Sequence, residues 1–192
     1  SLPEQLAKEN KKFVATQAQS GARLKDFESA IQWLVASGLV HQIFRITKPN
    51  LPLGGYQDNV FKLYFVDVGL LTAKTGLDVS VLLAGNRLFT EFKGALTEQY
   101  VLQQLLVSGL EPIFYWGLER AVAEVDFVVQ HSSQIIPIEV KAEENLKAKS
   151  LRSYYDKFKP DKVFRTSMSD YRKQDWLVNL PLYALANFRS LE

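Results

Sequence analysis

Three residues in the second half of the chain combine side-chain types and spacing suited to phosphate chemistry. Asp126 stands in EVDFVV (124–129), and Glu139 and Lys141 flank Val140 in IPIEVK (136–141), with twelve residues between Asp126 and Glu139. Side chains alternate along a strand, so Glu139 and Lys141 share one face. HSS at 131–133 is a hairpin-length connection, which brings Asp126 beside Glu139 across an antiparallel pair. Alternation groups Asp126 with Val128 and sets Val125, Phe127 and Val129 on the opposite face. It groups Glu139 with Ile135 and Pro137, against Ile136, Ile138 and Val140. Strands apolar on both faces belong to a sheet covered on each side. A carboxylate there must be paired or hold a cation, because an isolated buried charge costs several kcal/mol or more. Oxygen-only ligands favour Mg²⁺ or Mn²⁺ over Zn²⁺.

Carboxylates that hold a divalent ion, with a lysine to orient water or stabilise developing charge, are what metal-dependent phosphodiester hydrolysis requires. A buried salt-bridge cluster is the competing reading of the same residues. A long helix over about 87–107 (RLFTEFKGALTEQYVLQQLLV) carries Glu98, with Glu91 seven residues earlier on nearly the same face. Either is a candidate third carboxylate.

The elements that must position these residues follow from periodicity and punctuation. RLKDFESAIQWLVASG places Leu24, Phe27, Ile31, Leu34 and Val35 on one helical face, ending at Gly38. LVHQIFRI reads as a strand, TKPNLPLGGYQD as a loop and FKLYFVD as a return strand. Helices, strand, loop and strand spell a small winged-helix-like unit over 1–66, and 67–192 forms the second domain. Asp67 caps a short helix in VGLLTAKTG that Gly76 stops. The long helix ends at Ser108-Gly109. PIFYWG, AEVDFVVQ and QIIPIEVKA follow as strands, KAKSLRSYYDKF as a helix and KVFRTS as a strand, with WLVNLPLYAL closing the chain. This order makes a mixed α/β domain, not a doubly wound one.

Composition narrows the chemistry. The 192 residues are 47% hydrophobic and 23% charged, an ordinary globular balance. The absence of Cys excludes disulfides, thiol catalysis and Cys-rich zinc sites. Only His41 and His131 are present, neither with a partner at ligand spacing. No apolar run approaches the roughly 18 residues of a membrane span, and the first residues show no apolar signal region. The expectation is a cytoplasmic protein with no membrane partner. The net charge of +2 announces no polycation. Residues 142–192 are nevertheless the most basic stretch. Lys147, Lys149, Arg152, Lys157, Lys159, Lys162 and Arg165 either face phosphates or form a solvated face, with Lys147, Lys149 and Arg152 the leading contacts. Tyr154 and Tyr155 interleave with them, and either could stack on bases, although core packing is expected of at least one. Trp116 is expected in the core.

Several motifs together resemble the C-terminal region of a large bacterial and archaeal family of AAA-type ATPases. They are FKLYFVDVGLL at 61–71, GALTEQYVLQQLL at 94–106, FYW at 114–116, EVDFVV, IPIEVKAEE at 136–144, KSL at 149–151 and NLPLY at 179–183. The resemblance implies a winged-helix segment followed by a domain of unknown function with a restriction-endonuclease-like, PD-(D/E)xK α/β fold, a mixed sheet flanked by helices. It places the nuclease-like site on Glu98, Asp126, Glu139 and Lys141. Asp126 and Glu139 are then metal ligands, and Lys141 and Glu98 catalytic groups. Val125 stands where the motif has Pro. No GxxxxGK[ST] phosphate loop is present, so there is no ATP site in these residues, and the resemblance implies an ATPase module upstream. Three functions are compatible with this reading: an accessory domain of that ATPase that binds DNA or a protein partner, a Mg²⁺-dependent DNA endonuclease, and an interaction or oligomerisation module.

Overall fold

The computed structural model describes residues 12–76, 90–118, 123–142 and 148–190. The chain divides into two compact units, Ser1–Ile43 with Val60–Tyr100, and Phe44–Asn59 with Val101–Glu192.

In the first unit, α1 (Ala15–Ala18) and a 3₁₀ turn (Leu24–Asp26) lead into α2 (Glu28–Ala36). The helix expected from Arg23 onward is thus broken at its start. The Asp26 carboxylate accepts the Arg23 backbone N–H at 2.7 Å and closes a separate turn. Of the expected apolar face only Ile31 is buried, while Leu24 and Val35 are exposed. Gly38, at φ 71°, supplies the left-handed residue that ends the segment. β1 (Val40–Ile46) and β2 (Gln57–Phe65) each begin in one unit and end in the other. α3 (Val68–Thr75) is capped as expected. The Asp67 carboxylate accepts the Leu70 N–H at 2.7 Å, and Gly76 closes the helix in the left-handed region. α4 (Thr90–Val107) is the long helix, and its residues from Val101 onward belong to the second unit. Its expected first turn, 87–89, lies outside the described residues, as does the side chain of Glu91. Ile31, Val40, Ile43, Phe61, Leu63 and Leu71 are buried in this unit, and Phe13 stacks on Phe61 with ring centroids 5.8 Å apart.

The second unit is built on a mixed sheet that takes in the ends of β1 and β2. Its strand order is β2-β1-β3-β4-β5-β6-β8-β7, with β3 Ile113–Gly117, β4 Glu124–His131, β5 Gln134–Val140, β6 Phe164–Ser167, β7 Arg172–Lys173 and β8 Val178–Pro181. β3, β4 and β5 form an antiparallel meander. β1 joins β3 in parallel, and β5, β6 and β8 run parallel to one another. α5 (Lys149–Phe158) packs Leu151 and Tyr154 onto Trp116, Val125, Val128 and Leu177. The closing segment becomes β8 and a 3₁₀ run over Leu182–Ser190, which sets Phe188 against Phe164. Strand β7 was not anticipated. It is two residues long and both are exposed, so it carries no hydrophobic pattern to read.

One expectation about facing fails. Val125 and Val128 lie in the same core cluster under α5, although strict alternation separates them. Phe114 pairs with Val128 and Trp116 with Val125, so three steps along β4 match two along β3. The extra residue is a β-bulge, which resets the alternation beside Asp126.

Candidate functional site

The β4–β5 hairpin is in the expected register. Phe127 pairs with Ile138 and His131 with Gln134, and Ser132 turns the chain with φ 53°. The paired register stops at Phe127 and Ile138, immediately after Asp126 on β4 and before Glu139 on β5. Asp126 Oδ2 accepts the Val140 N–H at 2.7 Å, so the carboxylate clamps the end of the ladder. Lys141 Nζ donates to Glu139 Oε1 at 2.6 Å. Burial works against the Lys141 ammonium. Glu139, by charge and hydrogen bond, and then Asp126 more than offset that cost, and hold its pKa above the ordinary lysine value despite opposition from Arg165.

The parallel strands extend this group sideways. Glu139 on β5 is the register partner of Arg165 on β6, Arg165 that of Asn179 on β8, and Asn179 that of Arg172 on β7. A polar row therefore crosses four neighbouring strands at one level, from Glu139 to Arg172. Arg165 is buried rather than on a solvated face, and donates from Nε to Asn179 Oδ1 at 2.9 Å. Asn179 also accepts from Ser167 Oγ at 2.9 Å and donates to the carbonyls of Ser169 and Asp170. Burial, and then the charge of Arg172, lower the Arg165 pKa, while Glu139 pulls it the other way. A guanidinium stays charged through such shifts.

Glu98 sits in the first unit. Its Oε1 accepts from Lys62 Nζ at 3.1 Å and from the Tyr64 hydroxyl, and its neighbour Gln99 donates to the Phe65 carbonyl at 2.6 Å. Among the basic candidates, Lys149 and Arg152 are exposed on α5, and Lys147 lies outside the described residues. Arg152 pairs with Asp156 at 3.0 Å, a contact between two exposed groups. Tyr154 and Trp116 are core residues, with ring centroids 5.2 Å apart, while Tyr155 is only partly buried. Among the described residues no group of three or more His, Cys, Asp or Glu is placed to hold a metal ion.

Sequence reasoning missed Arg165, Asn179 and Lys62 as members of buried networks. The available signal was a lone charged or amide residue next to apolar strand residues: Arg165 in VFRTS, Asn179 in LVNLP and Lys62 in FKLYF.

Residues 93–185 match the family model described as a domain of unknown function, DUF4143. Glu98, Asp126, Glu139, Lys141, Arg165 and Asn179 all fall within that match. Residues 1–80 match a second domain of unknown function, DUF8612. No curated protein matches the chain. Among solved structures, protein VC1899 from Vibrio cholerae is 13% identical, with a TM-score of 0.33 over 99% of this chain. The chain spans 47% of that protein's length. Among the described residues no helix is long and apolar enough to cross a membrane.

Proposed function

We propose that the chain is an accessory binding region. Its DUF4143 domain, of restriction-endonuclease-like fold behind a winged-helix-like segment, works beside an AAA-type ATPase module outside residues 1–192 and holds DNA or a protein partner without cutting it. The motif resemblance supports the ATPase linkage. The non-cleaving reading rests on the charge balance at Glu139. Two carboxylates, Asp126 and Glu139, stand with two cations, Lys141 and Arg165, one of them bonded directly to Glu139. A cluster that is already neutral does not fit a divalent cation, because the ion would displace Lys141 and sit close to a buried guanidinium.

A second reading, Mg²⁺-dependent endonuclease, is favoured by the adjacency of Asp126 and Glu139 and requires Lys141 to leave Glu139. Calorimetric titration of Mn²⁺ into wild type and Asp126→Asn separates the two. The accessory reading expects no binding heat in either protein, no nicking of plasmid with Mg²⁺ or Mn²⁺, and retention of DNA or of the ATPase module by the chain. Wild-type heat that vanishes in Asp126→Asn, together with nicking that is lost in Lys141→Ala, replaces it with the endonuclease.

A further inference from the structure

The second unit also holds a cavity of about 590 Å³, bounded by α5, the 160–163 loop, β7 and the turn into β8. Tyr155, Tyr171 and Trp176 line it, with Lys162, Lys173, Asp161 and Asp175 as its charged residues. Tyr171 is 60% exposed. The Tyr155 and Trp176 rings lie 5.4 Å apart and tilted, and the Arg152 guanidinium lies over both, 5.1 Å from the Trp176 centroid. Lys159 stands 5.0 Å over Tyr155. Residues 148–176 hold eight basic and four acidic side chains, a surplus of four in a chain whose net charge is +2.

We infer that this cavity binds single-stranded nucleic acid, with a base stacked among Tyr155, Tyr171 and Trp176 and the flanking phosphates held by Lys162 and Lys173. Aromatic rings accept any base on their π-faces, and cations beside them supply sequence-independent attraction to the backbone. The volume suits one or two nucleotides rather than a folded partner. Asp161 and Asp175 balance Lys162 and Lys173 in the lining itself, so the basic surplus that draws phosphates comes from the residues that flank the cavity. Asp156 is already paired with Arg152 and Lys159, and its carboxyl is held below the usual range by the Arg152 hydrogen bond. The inference rests on the nucleic-acid arm of the function proposed above and gives it a place and a substrate class.

The test is fluorescence anisotropy of a labelled fifteen-nucleotide oligo-dT titrated with the full chain across a salt series. Stacking predicts binding about tenfold or more weaker in Trp176→Ala, with Trp176→Phe close to wild type. Replacing both Lys162 and Lys173 by Gln should flatten the salt slope by about 1.4, or 0.7 for each phosphate contact. Far-UV circular dichroism checks that each variant is folded. Oligo-dT binding that Trp176→Ala leaves unchanged overturns the cavity as the site, while the chain remains a nucleic-acid binder. Absence of oligo-dT binding also overturns it, and the parent reading is then judged by capture of the ATPase module. Loss of that capture in Trp176→Ala, with oligonucleotide binding untouched, overturns it in favour of a protein ligand.

Discussion

Each unit contains a lysine–glutamate pair, and the two pairs are built differently. In the first unit Lys62 is 1% exposed and Glu98 12%, and the carboxylate is shared with the Tyr64 hydroxyl. In the second, Glu139 is 7% exposed but Lys141 is 30% exposed, at the edge of a row that continues through Arg165 and Asn179. A pair with both members withdrawn from water is locked, because separating the charges leaves one buried and uncompensated. A pair whose ammonium reaches water can open, because solvent takes over part of the stabilisation. The first arrangement suits a strut, and the second costs less to break because its ammonium is partly solvated.

The largest expected effect comes from breaking the closed pair. Lys62→Met should lower unfolding free energy by about 3–5 kcal/mol in urea titration, and pairing it with Glu98→Leu should recover much of that loss. Recovery shows that the cost is an orphaned charge. A loss of the same size in the double variant shows that packing dominates instead. Next is the fixed end of the open row. Asn179→Ala leaves the groups around Arg165 and Ser167 to find new partners and should cost about 3 kcal/mol. A change below about 1 kcal/mol would mean that the row is not held at β8. A local control for the first unit is Asp67→Ala, which removes the cap of α3 and should cost about 1 kcal/mol.

The smallest effect is expected from Lys141→Met, about 0.5–1 kcal/mol near neutral pH, discounted because the ammonium is partly solvated. Its pH dependence sharpens the comparison. The folded pKa lies above the unfolded one, so the contribution is fully present below the ordinary lysine pKa of roughly 10.4. It is lost as pH rises through the folded value. The stability gap between wild type and Lys141→Met should therefore be constant from pH 7 to 9 and close above about 10.4. A gap that closes below pH 9 contradicts the Glu139 pairing.

The local parts of this fold were legible from sequence because their causes are local. HSS dictated the β4–β5 hairpin, and a two-residue turn sets the register that brings the Asp126 carboxylate to the Val140 N–H. Asp67 and Gly76 marked both ends of α3, since capping needs only side chains within one turn. The helix face of α2 misled because periodicity states which residues can be buried, not whether anything covers them. Val35 there is 37% exposed. The bulge opposite Tyr115 was also invisible, because one extra residue in β4 depends on how β3 pairs with it.

What the sequence determined alone was a mixed α/β chain without thiol chemistry, carrying an Asp and a Glu-x-Lys on neighbouring strands. What only the tertiary structure decided was the company those residues keep. Arg165 and Asn179 arrive through parallel crossovers, and Lys62 meets Glu98 from 36 residues away. Such pairings follow from strand order and register across the whole sheet, which no local spacing encodes. They set the two carboxylates beside the Lys141 ammonium and the buried Arg165 guanidinium.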